Sequence, residues 1–426
     1  MIAKNLAMIH PLAWTIIVGT MFGRLVTSMS VPFLAIYLTS ALHVPATQTG
    51  LIIAGSALAG VLFSFYGGYI SDRIGRKRVM LVSVFGWSLV FFGFASAQYV
   101  WMFFVVNLLN GVCRSTFEPA ARALLSDTTP PEHRLLVFNL RYAAINIGVV
   151  FGPLIGLQLG SGASTFPFYI TGAVYVLYSF VLVLQFYLHP IQTLQSHASD
   201  TAARPNIRQA LQVTSSDRVF LPVLIGMIFC VLGYAHFDST LAQFLAITPD
   251  ISNGSKIFSY MLAMNAVVVL IVQYPLVRTA RRFRPIVPLI IGNILVALSL
   301  MIFGIAHNLP VFMIGVFIFT VGEVLMFTMM DMLIDHIAPA GWKGTYFGTM
   351  GFNNIGTMVA PIIGGLLIDR VALQGGIQVF APLALLTLVG LPFLLTAHRR
   401  LTIRDQRAEA EAAGENRVVA EKVVGG

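Results

Sequence analysis

Residues 67–78 read Gly-Gly-Tyr-Ile-Ser-Asp-Arg-Ile-Gly-Arg-Lys-Arg and join two long apolar segments. In this stretch Gly68 permits close approach of two helices, Asp72 places an anion at a helix end, and Gly75 suits a tight turn. The cations can pair with carboxylates or with helix carboxyl ends; they include Arg73, Arg76 and Lys77. Such a charge cluster can form in one conformation and break in another, whereas a plain basic loop needs neither the glycines nor the aspartate.

The amino-acid composition indicates whether these segments lie in water or in a membrane. Hydrophobic residues make up 57% of the 426-residue chain and charged residues 10%, whereas an average soluble domain is about 25% charged. This composition excludes an ordinary soluble protein, a disordered chain and a secreted disulfide scaffold. The two cysteines, Cys113 and Cys230, lie inside apolar runs, so no structural disulfide is expected. The composition therefore predicts a polytopic membrane protein.

Apolar segments long enough to cross a bilayer recur along the whole chain. A hydrocarbon core about 30 Å thick needs roughly 20 apolar residues in a helix. Twelve such segments are predicted, at 12–40, 46–70, 78–97, 100–126, 135–160, 164–188, 218–246, 256–277, 286–306, 310–336, 344–369 and 374–396. The fold class that follows is an all-α membrane protein with twelve transmembrane helices.

A polar stretch in the middle of the chain separates two halves of six segments each. At a constant offset of 208 residues, the string 146–148 (Asn-Ile-Gly) recurs at 354–356, and Pro153 corresponds to Pro361. This repeat predicts two six-helix halves related as parallel repeats, which in a transporter would hold the substrate site between them at mid-membrane. The predicted parts are an N-terminal half (1–188), a cytoplasmic linker (189–217), a C-terminal half (218–397) and a cytoplasmic tail (398–426).

Lysine and arginine are distributed unequally between the two sides of the predicted bundle. An even number of segments places both termini on one side, and the opposite side then holds only Lys256 and Arg370. The positive-inside rule therefore predicts a multi-pass protein of the cell (plasma) membrane with both termini in the cytoplasm. The net charge of +9 then reflects topology beside anionic lipid headgroups, and no nucleic-acid partner is expected.

Ionisable residues inside the apolar segments are candidate functional residues, because each is costly in a membrane unless it is paired or hydrated. Arg114, Glu118 and Arg122 recur at a spacing of four and share one face of segment 4. This face must point to the protein interior, where it would serve proton movement, substrate binding or a static ion-pair network. Arg24 in segment 1 and Arg141 in segment 5 have no local acid, so their partners must come from other helices.

The second half contributes acidic candidates. Glu323 lies near the middle of segment 10 and is the leading candidate for proton exchange or for recognition of a substrate cation. Asp238 in segment 7 is a second candidate for the same roles. Asp331 either lines the cavity or pairs with an arginine of the cytoplasmic side.

Segment 5 contains the string Gly148-Val-Val-Phe-Gly152-Pro153-Leu-Ile-Gly156. Small residues let helix backbones touch, and a proline removes a backbone donor and can kink the helix. The spacing therefore fits two interpretations, a pivot that gives transport a direction and plain helix packing.

The string Gly68-x-x-x-Asp72-Arg73-x-Gly75-Arg76-Lys77 resembles the signature loop of the major facilitator superfamily, and the resemblance covers segments 1 to 12. It implies a gate between the halves that stabilises the outward-facing state. The string in segment 5 is similar to the antiporter motif of the drug:proton antiporter branch of that family. In the matching loop of the second half, Ala280 stands where Asp72 would repeat.

Residues 122–156 and the string 322–324 (Gly-Glu-Val) look like those of the LmrP-type multidrug transporters in that branch. This resemblance implies that carboxylates take part in proton coupling or cation binding, at Asp72, Asp127, Asp238 and Glu323. Where that group has an aspartate before the tyrosine of segment 5, this chain has Arg141. A cation at this position bears on the charge of the substrate.

The residues and the resemblance together predict a secondary active transporter that exports small amphipathic compounds such as drugs by proton antiport and alternating access. Its partners would be a small-molecule substrate, protons and the lipid bilayer, and we expect a monomer. The alternatives are a proton-coupled symporter for uptake of a sugar, peptide or organic anion, and a lipid flippase. An enzyme is not expected, because the sequence has no phosphate-binding loop, metal-ligand cluster or nucleophile elbow, and no cofactor or metal is implied.

Overall fold

The computed structural model describes residues 9–38, 42–44, 46–159, 165–190, 206–247, 254–371 and 375–424. Its described part contains twelve helices that are long and apolar enough to cross a membrane. Helices are the expected element, because a bilayer core offers the backbone no hydrogen-bond partner and a helix satisfies its own peptide groups. The predicted all-α class with twelve transmembrane helices is confirmed.

Six helices form the first half: α1 (Pro11–Ile36), α2 (Ala46–Ile74), α3 (Arg76–Ser96), α4 (Val100–Asp127), α5 (Pro131–Leu159) and α6 (Phe166–Leu188). The second half contains α7, which runs from Phe220–His236 through a π-helical turn at Phe237–Leu241 to Ala242–Ile247. It continues with α8 (Gly254–Ala280), α9 (Ile286–Ile305) and α10 (Leu309–Ile337). It ends with α11, formed by Lys343–Met350, a 3-10 turn at Gly351–Asn354 and Ile355–Val371, and with α12, formed by Gly376–Leu388 and Gly390–Val424.

The observed helix limits follow the predicted segments closely, with differences at a few ends. Helix α5 begins at Pro131 rather than at 135, because proline fits the first turn of a helix, where its missing N–H has no partner to lose. Helix α12 continues past residue 397 as far as Val424. Much of the stretch predicted as a tail is therefore helical.

Helix pairing is the same in the two halves, which confirms that they are parallel repeats. In the first half α1 packs on α5, α2 on α4, and α3 on α6. The corresponding helices pair in the second half, where α7 packs on α11, α8 on α10, and α9 on α12. The repeat inferred from the 208-residue offset thus describes the packing as well as the sequence.

Glycines at repeat-related positions bring the paired helices together. A Cβ atom at Gly148 would lie 2.6 Å from the carbonyl oxygen of Met21 on α1, and one at Gly356 would lie 2.4 Å from that of Ile228 on α7. Only glycine leaves room for the two backbones to touch, and in a membrane such contacts supply the van der Waals packing that holds helices together. In each half, a repeat-related glycine thus seats the fifth helix against the first.

The region between the halves contains a short connecting helix, Ile207–Ser216. Its start is fixed by Asn206, which forms a reciprocal capping box with Gln209. Residues 191–205 lie outside the described part of the chain, so the predicted limits of the linker and of the two halves stay predictions.

Replacing Gly148 with alanine should destabilise the protein, because the added methyl group meets backbone atoms of α1 rather than a flexible side-chain end. Overpacking of this kind costs about 1–3 kcal/mol, so we expect a lower melting temperature for the detergent-purified variant. The matched control is Gly365→Ala on α11, where nothing lies within 4 Å of the added Cβ. Equal melting temperatures for the two variants would contradict the packing assigned to Gly148.

Candidate functional site

A carboxylate held by two arginines lies at the centre of the first half. Arg24 on α1 places its Nη2 atom 2.5 Å from Oε1 of Glu118 on α4, and Arg141 on α5 donates from Nη2 to Oε2 of the same carboxylate. The partners of both arginines therefore come from another helix, as the sequence predicts. Because the side chain of Arg141 is only 3% exposed, its positive charge needs a carboxylate partner to offset the cost of burial. Glu118 thus joins three helices of the first half.

An aspartate of the second half extends this cluster across the interface between the halves. The carboxylate of Asp331 on α10 lies 3.6 Å from Nη1 of Arg122 and 3.6 Å from Nη1 of Arg141. Of the two roles that the sequence allows for Asp331, the structure places it beside arginines. The arginine face of α4 is thereby directed towards the second half.

Glu323 on α10 has a different environment. It is 4% exposed, and its Oε1 accepts hydrogen bonds from the hydroxyls of Tyr142 at 3.1 Å and Tyr234 at 3.4 Å. Its Oε2 accepts from Nδ2 of Asn265 at 2.8 Å. Across the described residues, no cation forms an ion pair with this carboxylate. Because a tyrosine hydroxyl can donate or accept, the hydroxyl contacts can persist whether Glu323 is ionised or protonated.

The two tyrosines that bind Glu323 belong to a cluster of aromatic rings. The ring of Tyr234 lies 4.9 Å from that of Phe327 and 5.5 Å from that of Phe319, while Tyr142 lies 6.4 Å from Phe327. Tyr142 belongs to α5 and the other three residues to the second half. The site therefore combines one carboxylate with apolar, polarisable walls, which suit an organic cation or an aromatic ligand.

Two charged residues of the membrane-spanning helices do not belong to these networks. Asp238 lies exposed on the π-helical turn of α7, and Arg114 lies half-buried on the same face of α4 as Glu118. Within the described chain, neither side chain takes part in an ion pair. Turns of the π type occur often at functional sites, and nothing in the sequence around Asp238 predicts this one.

A contact between the halves lies at the side of the bundle that we call the basic end, which carries Arg76, Arg134 and Lys343. Asp72 at the end of α2 accepts hydrogen bonds from the backbone N–H of Gly344 at 3.0 Å and of Thr345 at 2.5 Å. It also accepts one from the Thr345 hydroxyl at 2.6 Å. These amides open α11 and have no partner within their own helix, so Asp72 caps a helix of the other half.

The cations of the 67–78 stretch have separate partners. Arg76 donates to Asp72 and places Nε 3.3 Å from Oδ2 of Asp127 on α4. Arg73 donates to the hydroxyl of Tyr69 in its own helix at 3.1 Å, and the Nζ atom of Lys77 lies 5.9 Å from the ring centroid of Phe186. Asp127, a candidate for proton coupling, thus lies with the Asp72 contact rather than beside Glu323.

Both glycines predicted to shape this loop are required by its geometry. A Cβ atom at Gly68 would lie 2.0 Å from the carbonyl oxygen of Gly344, so any side chain would push α2 and α11 apart. Gly75 has φ of 99°, a conformation that other residues rarely adopt. The first glycine lets the helices meet and the second turns the chain into α3.

A second contact at the basic end was not among the predicted sites. Asp335 on α10 accepts a hydrogen bond from Arg134 of α5 at 2.9 Å and one from Lys343 at 2.7 Å, and Ser126 of α4 also donates to it. Its position in the repeat, opposite Asp127, is the sequence signal that would have identified it.

The glycine motif of segment 5 faces α1 rather than Glu323. A Cβ atom at Gly148 would lie 2.7 Å from Cβ of Arg24, and one at Gly152 would lie 2.4 Å from the carbonyl oxygen of Leu25. Gly156 is also buried, while the side chain of Pro153 falls outside the described part of the chain. The motif therefore seats the helix that carries Arg24.

Comparison with known proteins places this architecture in a family. The profile of the Major Facilitator Superfamily matches residues 16–353. The chain belongs to the Major Facilitator Superfamily. It is thus a transporter of that superfamily and a multi-pass membrane protein, and the family that the loop of residues 67–78 resembles is confirmed.

Several members of the superfamily match this transporter over most of its length. It is 51% identical to YqjV of Bacillus subtilis (strain 168), an uncharacterized MFS-type transporter, over 92% of this chain and 95% of that protein. It is 28% identical to a Na(+), Li(+), K(+)/H(+) antiporter of Planococcus maritimus, over 81% and 87%. It is 26% identical to Multidrug resistance protein 1 of Bacillus subtilis (strain 168), over 81% and 89%.

A solved structure supports the assignment of the fold. FucP, an MFS transporter crystallised in the outward conformation, matches with a TM-score of 0.73 at 15% identity, over 90% of this chain and 98% of that chain. At this identity the similarity concerns the fold alone.

Replacing Asp72 with asparagine should favour separation of the two halves at the basic end. The side chain is fully buried beside Arg76, and breaking a buried ion pair costs about 3–5 kcal/mol. Spin labels at Ile74 and Ala340, both exposed, would report the separation by double electron–electron resonance in a background without Cys113 and Cys230. We expect the variant to shift the distance distribution to longer values.

The matched control for this measurement is Arg73→Gln in the same loop, since Arg73 bonds only within its own helix among the contacts described. The control should keep the distance distribution of the parent protein. A distribution unchanged in Asp72→Asn would show that the Asp72 contact does not hold the halves together.

Proposed function

We propose that this transporter exports small amphipathic compounds across the plasma membrane in exchange for protons, by alternating access, with both termini in the cytoplasm. The observation that carries the proposal is the environment of Glu323. Its described partners are neutral and come from both halves, Tyr142 from the first and Tyr234 and Asn265 from the second. A buried carboxyl group of this kind can bind and release a proton without breaking an ion pair.

Glu323 is better suited to this exchange than Glu118. Both oxygens of Glu118 are occupied by arginines, so protonation there would leave Arg24 without its ion-pair partner and Arg141 with the more distant carboxylate of Asp331 at 3.6 Å. We therefore assign the proton to Glu323, with Asp238 as an accessory acid nearer the other side of the membrane. In this scheme Glu118 positions Arg24 and Arg141 within the first half.

The contacts between the halves support alternating access. Among the described residues they lie mainly towards the basic end, where Ser64 donates to the carbonyl of Gly348 at 2.7 Å and Gln273 donates to Oδ1 of Asn139 at 2.6 Å. With the basic end in the cytoplasm, this arrangement is the outward-facing state. Transport would then require the contacts of Asp72 and Asp335 to break in the opposite state.

The names of two relatives support the proposed substrate class and the proposed exchange with protons. Among the proteins that resemble this chain, one is named as a multidrug resistance protein and another as a cation/proton antiporter. The same carboxyl group would also serve a proton symporter that takes up its substrate. The direction of transport distinguishes that alternative.

The test uses everted membrane vesicles with an acidic lumen and three fluorescent xanthene dyes that differ in charge: rhodamine 123, rhodamine 110 and fluorescein. We expect at least one dye to accumulate in the lumen and a protonophore to abolish this accumulation. Glu323→Gln should lower the gradient-dependent component about tenfold or more, the equivalent of about 1.4 kcal/mol of coupling, because glutamine has no proton to exchange.

The matched control is Glu132→Gln, an exposed carboxylate at the start of α5, which should transport as the parent protein does. Accumulation that is insensitive to the protonophore, or gradient dependence that persists in Glu323→Gln, would remove the assignment of the proton to Glu323. Gradient-driven accumulation in right-side-out vesicles instead would favour symport.

A further inference from the structure

We infer that the cargo of the proposed exchange is a zwitterionic amphipath, whose anionic group binds Arg114 and whose cationic group takes the place of the proton on Glu323. This inference rests on the proposed function and names the substrate class of the same site. It follows from the positions of charged side chains that form no ion pair among the described residues, one in the first half and two in the second.

Arg114 is the interior arginine of the first half that forms no ion pair among the described residues. It is half-buried and lies one helical turn from Glu118, but both oxygens of that carboxylate are held by Arg24 and Arg141. Beside it α2 presents Gly60, at which a Cβ atom would lie 3.7 Å from Nη2 of Arg114. An arginine in the interior normally has an anionic partner, and among the described residues none forms an ion pair with it. An anionic group of the cargo would supply that partner.

Arg114 and Glu323 lie at the same depth in the bundle. Arg114 precedes the last residue of α4, Asp127, by 13 positions, and Glu323 precedes the last residue of α10, Ile337, by 14. At a rise of 1.5 Å per residue each lies about 20 Å from the basic end of its helix. A single small molecule between the halves can therefore meet a guanidinium on one side and a carboxyl group on the other.

The interior charges of the two halves have opposite net sign, because the first half contains four arginines and the acid Glu118, whereas the second half contains three acids. The cations all belong to the first half and are Arg24, Arg114, Arg122 and Arg141. The acids of the second half within the spans are Asp238, Glu323 and Asp331, and Asp331 is already close to Arg122 and Arg141. This leaves Arg114 in the first half, and Glu323 and Asp238 in the second half, without an ion-pair partner among the described residues. A ligand with charge of one sign would meet repulsion from one half, whereas a ligand with both signs is attracted by both.

The aromatic residues near Glu323 indicate the chemistry of the nonpolar part of the ligand. The two tyrosines that bind the carboxylate and their neighbour Phe327 are partly exposed rings, while Phe319 is buried against Tyr234. Ring faces attract organic cations and stack on flat apolar bodies. The cationic group of the cargo should therefore be part of, or attached to, an apolar or aromatic framework.

Rhodamine 110 and rhodamine 123 test this inference directly, because they share one cationic xanthene framework and differ only in a free carboxylate against its methyl ester. Fluorescein supplies the anionic framework. We would measure the binding of each dye to the purified full-length protein by fluorescence anisotropy, without a proton gradient. We expect rhodamine 110 to bind about tenfold tighter than either of the others, the gain typical of one charge-assisted pair.

The variant Arg114→Gln should reduce the preference for rhodamine 110 over rhodamine 123 about tenfold, and Arg114→Lys should restore part of it, because lysine keeps the charge but not the bidentate geometry. Glu323→Gln should weaken both rhodamines relative to fluorescein. Arg278→Gln, which removes an exposed cation at the end of α8, is the control and should keep the ranking of the parent protein. Melting temperatures would confirm that each variant is folded.

Rhodamine 110 binding no tighter than rhodamine 123, an equal loss of both dyes in Arg114→Gln, or no binding of any dye up to about 1 mM would overturn the inference. The binding ranking is independent of proton coupling. If the ranking holds while transport is insensitive to a protonophore, the exchange proposal fails and the assignment of the ligand groups survives.

Discussion

A carboxylate buried between membrane helices must be matched by a cation, by hydrogen-bond donors or by a proton, and three carboxylates of this transporter have three different environments. Glu118 is matched by two guanidinium groups, and Asp72 by the amides and hydroxyl that open α11 as well as by Arg76. Among the described residues, the donors to Glu323 are all neutral. The first arrangement joins helices within one half and the second joins the two halves at one end, while the third carries the proposed proton exchange.

The sequence predicted what depends on local patterning. Apolar length located twelve helices, the spacing of four placed Arg114, Glu118 and Arg122 on one face, and the glycines at 68 and 75 marked a close contact and a turn. It did not identify Tyr142, Tyr234 and Asn265 as partners of Glu323, because ordinary tyrosines and asparagines carry no signal until packing brings three helices together. The π-helical turn at Asp238 was not predicted either, because no local sequence pattern marks it.

The two halves share their packing but not their chemistry. Gly148 and Gly356 perform the same task in each half, whereas Ala280 occupies the position that corresponds to Asp72 and is buried. Instead of a helix cap, the second half contributes Asp335 at this end. The partners of Asp335 include the long side chains of Arg134 and Lys343. The repeated framework thus carries two contacts of different chemistry at the same end, a helix cap and a pair of salt bridges.

The first turn of α11 is capped by Asp72, a residue of the other half. If Asp72 withdraws in the proposed alternating-access cycle, the N–H groups of Gly344 and Thr345 lose their acceptors. The 3-10 turn at Gly351–Asn354 separates this first segment from the rest of the helix. Bare amides at a helix start need a replacement acceptor, and at an opened end that acceptor is water. In the proposed cycle, separation of the halves would therefore coincide with entry of water at the basic end, and excluding water there would keep this end closed.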